Sequence, residues 1–190
     1  MAKLKLGVIV GSNRRESINR RLAAALAQLG GGAFAAKFLP IDDLPMYNQD
    51  IEQPAPAPVA RFKAEIAACD ALLFVTPEHS RSIPALLKNA IDWGARPYGK
   101  SSWPGKPAAV IGPSGGAIST AIAQQHLRAV LGDQGLHLMG GEAYIQFKPD
   151  LIDGEANVSD ESVRKFLKDF IDNFAAFAAR LAVSASAAAA

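Results

Sequence analysis

A single cysteine, Cys69, stands in the 190 residues, so no intrachain disulfide can form. Its setting, AACDALLF, reads as that of a small buried apolar residue, and the near absence of cysteine suits a reducing, cytoplasmic compartment. No apolar stretch approaches the roughly 18 residues that would cross a bilayer, so no membrane partner is expected. Only Met-Ala-Lys precedes the first apolar run, too little for a secretory leader. An excess of one charge is also missing. The 20 Lys and Arg against 18 Asp and Glu leave a net charge of +2, which argues against a polyanion-binding surface and hence against nucleic acid as a partner. Histidine is scarce too: His79, His126 and His137 do not fall at metal-ligand spacing, and no metal is expected.

What is present is apolar residue at 49% and a regular alternation of two periodicities. This suits one compact domain, placed at residues 1–183, with the low-complexity SASAAAA of 184–190 set aside as a tail. Residues 4–10 form an almost wholly apolar strand, followed by Ile18, Leu22, Ala25, Leu26 and Leu29 at helical spacing up to the glycines at 30–32. A second strand is expected at 34–39, then a Pro/Asp/Asn-rich loop from 40 to about 58, a helix at 59–68 and a strand at 71–76. A helical stripe through Ile83, Leu86, Leu87, Ala90 and Ile91 ends at Gly94, with Lys88, Asn89 and Asp92 on its polar side. A strand at 108–111, a helix at about 117–131 and a short strand at 144–147 follow. The last element, marked by Val163, Phe166, Leu167, Phe170, Ile171, Phe174, Phe177 and Leu181, is the strongest amphipathic helix in the chain.

Strands that are apolar throughout need helices on both faces, the α/β doubly wound arrangement. Five parallel strands suggest the flavodoxin-like order 2-1-3-4-5, in which ligands sit beyond the carboxyl ends of the first, third and fourth strands. The loops at those ends are GSNRRES at 11–17, PEHSRS at 77–82 and GPSGG at 112–116, each rich in the Gly, Ser or Pro that lets backbone approach a ligand. In the first, the hydroxyls of Ser12 and Ser17, the amide of Asn19, the Arg14 guanidinium and the free N–H groups of the following helix suit a phosphate monoester. Read alone, it is equally an ordinary N-cap at Ser17 among solvated arginines. The chain has neither the GxxxxGK[ST] of a nucleoside triphosphatase nor the GxGxxG of a dinucleotide fold.

Gly11-Ser12-x-Arg14-x-x-Ser17-x-Asn19, followed in order by PEHSRSIPALLKNAIDW at 77–93 and GPSGGAISTAIAQQHLR at 112–128, resembles the NADPH-dependent FMN reductase family, most closely its bacterial quinone and chromate reductases. The likeness runs from about residue 4 to 147. It implies bound FMN, NADPH or NADH as donor, and a homodimer or homotetramer in which partner helices border the flavin. By the same resemblance Ser12, Arg14, Ser17 and Asn19 hold the FMN phosphate. Pro77, Glu78, His79 and Ser80 run along the isoalloxazine and ribityl chain, and Ser114, Gly115 and Gly116 approach the pyrimidine side. His79 and Ser80 stand where the family usually has Tyr and Asn, and Pro113 and Ser119 replace a commoner Thr and Gly.

The chemistry then belongs to flavin N5, which takes a hydride from nicotinamide and passes electrons from the same face to a quinone, a free flavin or a chromate-like oxyanion. No catalytic side chain is required. Arg81 and Arg96 are candidate substrate-binding cations near the site mouth, with ordinary solvated loop arginines as the alternative for each, His79 is read as a wall of the site, and Trp93 and Trp103 as rim or interface aromatics. A flavodoxin-type electron carrier is the competing reading, but such carriers are usually strongly acidic. A phosphoacceptor domain of the same fold would need clustered aspartates where Gly11-Ser12 stands.

Overall fold

The computed structural model describes residues 2–188. Six strands and five helices alternate along it: β1 (Leu4–Val10), α1 (Ile18–Leu29), β2 (Phe34–Phe38), α2 (Ala57–Ala67), β3 (Ala71–Val75), α3 (Ala85–Ala95), β4 (Pro107–Ser114), α4 (Ala121–Asp133), β5 (His137–Leu138), β6 (Tyr144–Gln146) and α5 (Glu161–Ala188). The strands pair in parallel in the order β2-β1-β3-β4-β5, with β6 also on β4. Successive side chains of a strand point to opposite faces, and both faces are buried along β3, β4 and most of β1, whereas β2 is exposed beyond Phe34. Leu6, Val8 and Val10 of β1, Leu73 and Val75 of β3, and Ile111 of β4 pack under α1 and α5. Ile9, Leu72, Phe74 and Val110 pack under α2, α3 and α4. The three-layer arrangement thus follows from central strands that are apolar along nearly their whole length.

The outer edge of β4 differs from expectation. The strand expected at 144–147 is β6, and β5 lies before it. Pro107 and Ala108 pair with His137 and Leu138, and Gly112 to Ser114 pair with Tyr144 to Gln146. The step from Ala108 to Gly112 along β4 is therefore matched by the longer step from Leu138 to Tyr144, and the surplus forms a bulge whose exposed part is Gly140-Gly141-Glu142, between the buried Met139 and Ala143. Arg128 of α4 holds the bulge, donating to the carbonyls of Met139 at 2.8 Å and Gly141 at 2.7 Å. β4 also runs to Ser114, past the 111 expected. Pro113 is tolerated because β3 ends at Val75, level with Ile111, so the missing N–H lies beyond the β3–β4 ladder. At the chain end, α5 continues through Ala188 into the segment read as a tail, and residues 189–190 lie outside the described residues.

Trp93 and Trp103, expected at a rim or interface, are instead core residues with 1% and 0% exposure. Each indole N–H has an internal acceptor, Pro45 O at 2.7 Å for Trp93 and Ile91 O at 2.9 Å for Trp103. Gly94 does not end α3 but lies within it, because a Cβ there would stand inside the van der Waals surface of the Trp103 ring. Asn89 is likewise buried rather than on a polar face. It accepts from Tyr47 N at 2.7 Å and donates to Pro45 O at 3.0 Å, tying the long loop after β2 onto α3.

Gly94→Ala is expected to lower stability by about 1–3 kcal/mol through overpacking against Trp103. Gly132→Ala, on an open helical position of α4 with no atom within 4 Å of the new Cβ, should instead raise it by roughly 0.5–1 kcal/mol. Urea denaturation of the two variants beside the parent protein checks both signs.

Candidate functional site

The carboxyl ends of β1, β3 and β4 converge on one cavity of about 540 Å³, lined by residues of all three following loops. It sits between β1 and β3, where the chain leaves β1 for one face of the sheet and β3 for the other, the position at which an open α/β sheet leaves a crevice. Ser12, Arg14, Ser17, Asn19, Pro77, Glu78, His79, Ser114 and Gly115 all line it. Asn13, Ile18, Pro113 and the Pro84-Ala85-Leu86 start of α3 line it too and were not foreseen. For α3 the apolar stripe gave no hint that one end would border the site.

The β1 loop is shaped by two backbone events. Gly11 N donates to Val75 O at 2.9 Å, keeping the chain on the sheet for one more residue. Ser17 then caps α1, accepting from Arg20 N at 3.3 Å and leaving its own hydroxyl proton free to donate. The loop therefore presents the helix N-terminus, Ser12, Ser17 and Arg14 to one small volume. Asn19 supplies a test of fit. It is 3% exposed, and its Oδ1 has no hydrogen-bond partner, a costly state for a buried amide. The unmet group is an acceptor, which a phosphate cannot satisfy, so the fit to an anion rests instead on the donor set: the Ser12 and Ser17 hydroxyls, the Arg14 guanidinium and the N–H groups that open α1. At the opposite wall, no protein atom comes within 4 Å of where a Gly115 Cβ would stand, so the backbone there is open to a ligand. These donors fit the phosphate and ring edge of FMN.

The β3 and β4 loops are joined by Glu78. Its Oε2 accepts from Ile122 N and Ala123 N, both at 3.1 Å, capping α4, whose own N-cap residue Thr120 makes no side-chain cap. Oε1 accepts from Arg81 at 3.0 Å. Beyond it, His79 and Ser82 exchange backbone hydrogen bonds at 2.9 Å in each direction, closing a two-residue turn with Ser80 at φ 49° and Arg81 at φ 61°. Ser119 is also left-handed, at φ 53°, where glycine is easiest. Its hydroxyl offsets the strain by hydrogen bonding to Gly112 O at 3.0 Å and Ile145 O at 2.8 Å, which accounts for serine at that position.

Four expected residues do not line the cavity: Ser80, Gly116, Arg81 and Arg96. Ser80 and Arg81 form the tip of the turn, and Arg81 points to Glu78. Arg96 is drawn away by Glu52, which accepts from its Nε at 2.6 Å and from the Tyr47 hydroxyl at 2.6 Å. These bonds hold the Glu52 carboxyl below its ordinary range, Tyr47 contributing most and Arg96 next, while the same bond raises the Tyr47 hydroxyl. A depressed carboxyl stabilises the fold above its unfolded pKa and loses that contribution as pH falls through the folded one. The stability gap between the parent protein and Glu52→Gln should thus be constant from pH 7 to about pH 5 and shrink below the carboxylate range, followed by urea midpoints across that series.

The sequence model of the NADPH-dependent FMN reductase family matches residues 4–150. A 2-hydroxy-1,4-benzoquinone reductase from a Burkholderia species is 49% identical over 175 residues, covering 92% of this chain and 96% of the relative. A quinone reductase from Pseudomonas putida is 47% identical over 174 residues, covering 90% and 93%. Among solved structures, the flavoenzyme NAD(P)H:(acceptor) oxidoreductase from Paracoccus denitrificans superposes with a TM-score of 0.90 at 44% identity, covering 93% of this chain and 98% of that one. With the three loops in one cavity and most of the chain matched, the protein belongs to the NADPH-dependent FMN reductase family.

Proposed function

We propose that the protein is an FMN-dependent NAD(P)H:quinone oxidoreductase. The observation that carries this is the meeting of nine motif residues from three separate loops in one cavity, with hydroxyl, guanidinium and helix N-terminal donors together at one end. Quinone as acceptor is supported by the names of the two relatives nearly half identical over almost their whole length. In this reading Ser12, Arg14, Ser17 and Asn19 bind the FMN phosphate, and Pro77 to His79 border the ring and ribityl chain. The Ser114–Gly115 turn lies along the pyrimidine edge, where donors would stabilise the negative charge that reduction brings, while Ser80 and Gly116, expected there from the resemblance, stand outside the cavity lining.

Bound FMN supplies a two-electron couple at N5, accepting a hydride from NADPH or NADH and delivering electrons to the acceptor. With the flavin in the cavity, donor and acceptor would meet the same exposed ring face in turn, a ping-pong order. The same access suits free flavins and small oxyanions such as chromate as further acceptors. A cytoplasmic homodimer or homotetramer completes the reading, resting on the family resemblance.

Arg14→Ala with Ser17→Ala is expected to weaken FMN retention by at least about tenfold, since each charge-assisted or hydroxyl donor contributes roughly 1–3 kcal/mol. The apoprotein should keep its far-ultraviolet dichroism. Fluorescence titration of FMN and quinone-stimulated NADPH oxidation measure the two parts. Unchanged FMN affinity would return the loop to a plain helix cap, and background oxidation by the FMN-loaded parent protein would remove the enzyme reading.

A further inference from the structure

A second cavity, of about 190 Å³, lies on the other side of the Ser12–Asn13 backbone, between the carboxyl ends of β1 and β2. It shares Ser12, Asn13 and Leu86 with the first cavity, so the two are continuous around that loop. Its lining includes the aliphatic Val8, Val10 and Ile41 and the ring of Phe38, and its polar groups include Arg20 and Asp42. Phe38 is 37% exposed at the end of β2, an apolar ring left partly in water beside the site.

Arg20 is the second observation. Its exposed guanidinium makes no hydrogen bond or ion pair among the described residues, and of the arginines in that state, Arg14, Arg15, Arg20 and Arg21, only Arg20 lines this cavity. Asp42, the acid on the same cavity, is not within ion-pair distance of it. Arg20 also stands in the first turn of α1, which contains no acidic residue. The positive end of the helix dipole disfavours a cation there, so the local placement works against helix stability. Unpaired at the edge of a cavity, the guanidinium is available to an incoming anion. The FMN phosphate takes the other side of the loop, where Arg14 lies, which leaves Arg20 for a different anion.

We propose that this second cavity binds the adenosine 2′-phosphate end of NADPH, with the adenine against Phe38 and the aliphatic lining and the 2′-phosphate on Arg20. A planar guanidinium suits a phosphate, and an exposed aromatic ring suits a base. The rest of the dinucleotide passes over Ser12–Asn13 so that the nicotinamide enters the first cavity. The assignment rests on NAD(P)H being the donor and adds that Arg20 selects NADPH over NADH.

The test uses FMN-loaded protein and two readouts. Calorimetric titration with adenosine 2′,5′-bisphosphate should show binding that Arg20→Ala weakens by at least about tenfold, the loss expected for a hydrogen-bonded charge pair. Phe38→Ser should weaken it as well. The ratio of kcat/KM for NADPH to that for NADH should fall by a similar factor in Arg20→Ala. Equal losses with both donors, an unchanged bisphosphate affinity, or loss of FMN from Arg20→Ala would each overturn the assignment. So would a selective loss with NADH in Asp42→Asn, which would make the rim a reader of the ribose hydroxyl. The bisphosphate titration needs no turnover, so failure of the redox reading shows as silent kinetics with the parent protein, separate from failure of the slot.

Discussion

The order of the strands governs everything else in the molecule. Because β1 sits beside both β2 and β3, the chain leaves β1 toward the α1 and α5 layer and leaves β3 toward the layer of α2, α3 and α4. No helix can then cover the gap between the ends of β1 and β3. The sheet opens a crevice there without any side chain being selected for it, and the residues of the following loops need only turn inward. The site is thus a by-product of a core whose central strands are apolar on both faces.

What converts a crevice into a shaped cavity is the bracing of its walls. Glu78 reaches from the β3 loop to the first N–H groups of α4, and Ser119 joins β4 to β6. A Cβ on Gly112 would collide with the Thr76 carbonyl, so the two strand ends touch backbone to backbone. The β3 and β4 loops therefore behave as one wall. The β1 loop, by contrast, leaves Ser12, Asn13 and Arg14 without side-chain partners among the described residues, and is the wall open to bonds from a ligand.

The sequence displayed the parts that obey a period. The all-apolar β1 and β3 and the stripes of α1, α3 and α5 stand close to where their spacing put them, and the three glycine- and serine-rich loops could be placed at strand ends before any contact was known. Features that depend on a distant partner were hidden. Arg96 looks like a free cation until Glu52, 44 residues away, is seen beside it. Asn89 and Trp93 look polar-faced or peripheral until Pro45 arrives as their shared acceptor. Two residues of β5 are too few to show any alternation. Glu78 was expected near the cofactor and does line the cavity, but nothing local announces that its carboxylate caps a helix more than 40 residues on.

The bulge between β5 and β6 has a bearing on how copies of the chain can meet. A sheet grows by adding a strand along a continuous row of open N–H and C=O groups, and that side of the sheet offers only a two-residue segment, the exposed Gly140-Gly141-Glu142 bulge, then a three-residue segment. Arg128 occupies two carbonyls within the break. The margin therefore gives an added strand no long row of groups to pair with, which is how natural sheets keep an edge from templating another chain.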